Sequence, residues 1–87
     1  MNDTPTAAQI AAHFSAMDDS VTLINATVAD DTEALLIYGN DAEVKLMVTR
    51  NTSHLEIQAA KDWYIASSKS KTPYTGAVTA GKAYVAA

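Results

Sequence analysis

Carboxylates are the most abundant reactive groups in this chain, ten of them against two histidines and no cysteine. Five fall in the stretch VADDTEALLIYGNDAEV, residues 28–44: Asp30, Asp31, Glu33, Asp41 and Glu43, with no base among them. Carboxylates can act as general acids and bases, hold a cation, or present negative charge to a positive surface. Acid–base work needs a second, matched group, and no motif supplies one. The pairs Asp18–Asp19 and Asp30–Asp31 lack the longer alternating pattern of an oxygen-ligand calcium loop. His13 and His54 do not fall at a His-x-x-x-His or His-Glu-x-x-His spacing, so no metal and no cofactor is expected. The chain has no glycine-rich phosphate loop and no Gly-x-Ser-x-Gly elbow. Without cysteine it has neither a disulfide nor a thiolate nucleophile. It reads as non-catalytic.

The formal net charge of -4 hides an asymmetry. Residues 1–44 hold eight acids and no Lys or Arg, whereas residues 45–87 hold two acids and all six bases. An overall acidic chain lacks the basic footprint of a nucleic-acid binder. The best lead is therefore a protein-binding module whose acidic turns meet a partner with a basic surface. Small acidic inhibitors encoded by phages or mobile elements against a host nucleic-acid-handling complex have this character. The expected contact residues are Asp30, Asp31, Glu33, Asp41 and Glu43, with Tyr38, Trp63, Tyr64 and Tyr74 as aromatic anchors. Two other readings stand beside it. One is a self-associating homodimer or larger assembly, suited to a small core and halves of opposite charge. The other is weak nucleic-acid binding through the lysine- and aromatic-bearing segment 61–82. The amino terminus lacks a secretory n-region and no apolar run approaches a membrane span, so a cytoplasmic protein without membrane contact is expected.

Those side chains need elements to carry them. Eighty-seven residues make one domain, 1–87, with a thin core. TPTAAQIAAHFSAM reads as a helix started by Thr4 and Pro5, with Ile10, Phe14 and Met17 on one face and Asp18–Asp19–Ser20 at its end. SVTLINATVA, EALLIYG and AEVKLMVTR read as three strands, the last with Ala42, Val44, Leu46 and Val48 alternating. Gly39-Asn40 supplies a hairpin turn. TSHLEIQAAKDWYIASSKS fits a helix opened by Ser53 and Glu56, with a strand as the close second. TPYTGAVTAGKAYVAA places Tyr74, Ala77, Val78, Gly81, Tyr84 and Val85 on one helical side, or turns as a hairpin at Ala80-Gly81. The expected fold is α+β: an N-terminal helix packed on a three- or four-stranded antiparallel β-meander, with one or two helices in the C-terminal half. Its α-β-β-β-α order is that of double-stranded-RNA-binding domains in topology alone; the basic cluster that opens the last helix of that family is thin here.

Overall fold

The computed structural model describes residues 5–63 and 69–87. Among them are four helices and no strand: α1, Ala7–Ala29; α2, Thr32–Tyr38; α3, Asp41–Ala59; and α4, Thr72–Ala86. The β-meander is thereby overturned. Each of its expected strands is helix, and the expected strand SVTLINATVA simply prolongs α1.

The reason lies in the spacing of what is buried. On α1 the buried set is Phe14, Met17, Ser20, Ile24 and Thr27, an unbroken succession of three- and four-residue steps. Asp18 and Asp19 sit on the other side of this stripe and do not interrupt it. On α3, strict alternation would bury Leu46 beside Val44 and Val48 and expose Met47. Instead Met47 is 7% exposed and Leu46 is 40% exposed, as helical geometry requires. The stripe then continues through Thr52, Leu55 and Ala59, so Ser53 and Glu56 are mid-helix residues and start nothing.

Four helical threonines use their hydroxyls locally. Thr27, Thr49, Thr75 and Thr79 each donate to the carbonyl four residues earlier, at 2.8 to 3.3 Å. Helices α1 and α3 open on side-chain N-caps. Thr6 opens α1 through a reciprocal capping box with Gln9, and the expected cap Thr4 lies outside the described residues. Gly39-Asn40 does break the chain, but between helices. Gly39 takes the left-handed conformation (φ 91°) that closes α2, and Asn40 Oδ1 accepts the Glu43 N–H at 2.9 Å to open α3.

The three long helices form an up-down-up bundle, with α2 bridging α1 and α3 at one end. Ser20 on α1 donates to Asn51 on α3 at 3.3 Å. Lys45 reaches Ala87, and Lys82 pairs with Glu56, so α3 and α4 are antiparallel. Tyr74 donates to Asp18 at 2.7 Å and Tyr84 to Asp31 at 2.9 Å, so α4 runs parallel to α1. The molecule measures 45 × 20 × 19 Å. Its core has two parts. Phe14, Met17, Ile24, Leu55, Ala59, Tyr74, Ala77 and Val78 form the larger. Ala34, Val44, Met47 and Val48, flanked by Leu35, Tyr84 and Val85, form the smaller at the α2 end.

The C-terminal helix follows its expected face, with Tyr74, Ala77, Val78 and Gly81 buried and Tyr84 and Val85 half-buried. Its two glycines differ. A Cβ on Gly81 would overlap the Thr52 hydroxyl, whereas one on Gly76 would meet nothing within 4 Å. Gly76→Ala should therefore stabilise the fold by about 0.5–1 kcal/mol through helix propensity. Gly81→Ala should destabilise it by about 1–3 kcal/mol despite the same propensity gain, because α3 must shift or Thr52 must turn. Thr52→Ala should restore part of that loss. Urea unfolding of the two single variants and the Thr52→Ala/Gly81→Ala pair measures all three effects.

Candidate functional site

The structure brings six of the nine sequence-expected contact residues to one end. Asp30 and Asp31 lie in the break between α1 and α2, Glu33 and Tyr38 on α2, and Asp41 and Glu43 in the first turn of α3. Trp63 and Tyr74 lie towards the other end, and Tyr64 falls outside the described residues.

Helix α2 is placed by its neighbours. Only Ala34 is buried and Leu35 half-buried against the smaller core. At about 100° per residue, Leu36 and Ile37 lie about 150° and 250° round the helix from the midpoint of the Ala34–Leu35 pair, away from the core. Leu36 is 81% exposed and Ile37 68% exposed, and Tyr38 is partly exposed beside them. Glu33, one turn earlier, shares that outward side. A strand reading of EALLIYG divides these residues between two faces, Ile37 with Leu35 and Leu36 with Ala34 and Tyr38. A helical reading of the same letters turns them outward.

The acids around this ridge are partly structural. Asp30 accepts the Thr32 hydroxyl at 2.6 Å and the Thr32 N–H at 3.0 Å, and these bonds hold its carboxyl below its ordinary pKa. Asp31 accepts the Tyr84 hydroxyl, tying α4 to the root of α2. Asp41 lies 3.4 Å from Lys45, whose ammonium also donates to the Ala87 carbonyl at 2.9 Å. Glu33 has no such task. Residues 30–45 hold five carboxylates against the single base Lys45, a balance of -4 that equals the formal charge of the whole chain. The remaining five acids and five bases cancel.

The basic, aromatic half is folded differently. Tyr74 is buried at 3% exposure against Phe14, with ring centroids 5.8 Å apart. Tyr84 is half-buried and bonded to Asp31. Lys82 pairs with Glu56, Lys69 with Asp18 at 3.6 Å, and Lys61 covers the Trp63 ring at 5.0 Å. These tyrosines and lysines therefore serve the fold. Among the described residues no three His, Asp or Glu side chains gather as a metal site. None of the described helices is long and apolar enough to cross a membrane. No protein-family profile, curated protein or solved structure matches the chain.

Burial, the hydrogen bond to Asp31, and the charges of Asp31 and Asp41 push the Tyr84 phenol up to about 12. The folded state thus keeps a proton that the unfolded chain gives up near pH 10, and stability must fall with pH in between. The contribution is complete below about pH 10 and lost as pH rises through about 12. Tyr84→Phe should flatten this alkaline limb in unfolding curves followed by circular dichroism. Persistence of the same slope would assign it to other groups.

Proposed function

We propose that the protein is a non-catalytic binding module whose α2 end docks on a basic surface of a partner protein. The observation that carries this reading is the exposed Leu36–Ile37 ridge set among carboxylates. Exposed apolar side chains gain by leaving water, about 25 cal/mol for each Å² buried. The surrounding acids select where they go. A partner whose apolar cleft is rimmed by Lys or Arg attracts this end, and acidic surfaces are repelled. The same charge works against an α2-to-α2 contact between two copies, which would bring like charges together.

Strongly basic protein surfaces are typical of proteins that handle nucleic acid. A module of this shape that covered such a surface would compete with the polyanion for it. The reading is thus an inhibitor or adaptor of a nucleic-acid-handling protein, acting by occupation. A cytoplasmic setting accompanies it, consistent with a chain that has no cysteine.

A photo-crosslinking residue at Ile37, used in nuclease-treated lysate of the natural host, tests the idea, with a second at exposed Thr22 as control. The expected product is a basic protein joined through position 37 only, with yield falling as salt rises. Leu36→Ser, and Glu33→Gln with Glu43→Gln, should each abolish it. Leu36→Ser should change the unfolding free energy by less than about 0.5 kcal/mol, since the side chain is exposed. Capture that survives both variants would rule out this surface. Recovery of the chain joined only to itself would replace the reading with self-assembly.

A further inference from the structure

We propose that His13 is an acid-operated release for Trp63, opening the junction between Trp63 and α1 when its ring gains a proton. The two side chains meet in a cleft of about 370 Å³ at the end of the bundle remote from α2, lined by Gln9, His13, His54, Gln58, Lys61 and Trp63. The His13 ring packs on Trp63 with centroids 4.6 Å apart and lies edge-on to Phe14 at 4.8 Å. Its Nε2 atom is buried with no hydrogen-bond partner among the described residues. In turn Trp63 packs against the larger core, and the Lys61 ammonium lies 5.0 Å from the centroid of its ring.

This arrangement suits a neutral imidazole. An unpaired acceptor nitrogen in an apolar stack costs far less than a buried cation with an unpaired N–H. The groups facing His13 reinforce the preference. Burial lowers its pKa most, the Lys61 charge lowers it further, and His54 adds a smaller push in the same direction. The Gln58 amide acts the other way, favouring the proton without satisfying Nε2. Among the described residues that line the cleft there is no carboxylate to offset an imidazolium. Once protonated, the ring finds its partners in water. Swinging out, it removes the surface on which Trp63 rests.

The sign follows from the lowered pKa. The unfolded or opened chain takes up a proton near pH 6.5, before the closed form does. The closed form is therefore complete above about pH 7 and progressively weakened as pH falls towards 5. His13 meets the bundle through Phe14 and Trp63, whereas the Thr52–Gly81 approach and the Tyr84–Asp31 bond lie elsewhere, so the release is local.

Trp63 is the sole tryptophan of the chain, so its fluorescence reports the junction directly. The native protein should show a red-shifted emission maximum and a raised acrylamide quenching constant between about pH 7 and pH 5, with far-ultraviolet circular dichroism unchanged. His13→Phe keeps an uncharged ring in the stack and should hold Trp63 shielded throughout that range. His54→Gln should keep the transition. Trp63 exposure independent of pH in the native chain, or an identical transition in His13→Phe, would overturn the proposal. Should His13→Phe not fold, the nuclear magnetic resonance titration of the His13 ring in the native chain decides instead. An apparent pKa at or above that of a free histidine would refute the release.

Discussion

The close approach of α3 and α4 at Thr52 and Gly81 is the contact on which the rest of this small bundle depends. The chain has few large apolar side chains, so its helices must lie near each other to exclude water between them. A glycine facing a threonine provides that proximity, and Thr52 alone among the threonines discussed turns its hydroxyl to a neighbouring helix. With α4 seated there, Tyr74 and Tyr84 reach carboxylates on opposite sides of the molecule's midpoint, Asp18 and Asp31. Those two hydrogen bonds fix α4 parallel to α1 and hold the root of α2.

How much of this could be read from the letters differs by element. The face of α4 was legible from its helical spacing, with a hairpin at Ala80-Gly81 as the rival; burial of Gly81 against Thr52 within a continuous helix decides between them. The breaks were legible too: Gly39-Asn40 interrupts the chain where expected, although glycine and asparagine serve a helix end and a helix start as readily as a hairpin. The segments 20–29 and 42–50 were not legible as helix. Val21, Thr22, Ile24, Thr27 and Val28 have the composition of a strand, and residues 42–48 satisfy a two-residue period and a helical one together. Burial decided between them, and burial depends on partners far along the chain. The propensity of β-branched residues is about half a kcal/mol or less per residue, easily outweighed by one continuous apolar stripe.

The candidate site was half visible. Its carboxylates were found by type alone, since sign and position in the chain survive a wrong fold. The apolar ridge was hidden because a strand sets Leu36 and Ile37 on opposite faces, whereas the helix brings them out side by side. Placing them outward converts a set of solvated turns into a surface with both parts that recognition uses: an apolar centre and a charged surround. Folding also sorts the charge along the long axis, a segregation that the bare count of acids and bases in each half only hinted at.

Helix α2 spans seven residues and buries one of them. An element with so little interior of its own cannot share the full cooperativity of the bundle, so its amides must exchange with solvent through local opening long before the three long helices unfold. The Asp31–Tyr84 bond marks the boundary of that subglobal unit. Under the docking proposed above, a partner would remodel α2 by lengthening or unwinding a single turn while the scaffold behind it stays intact. The protein thus joins a compliant tip to a stiff shaft, and the mechanical contrast between them is written in how unevenly its few large side chains are distributed.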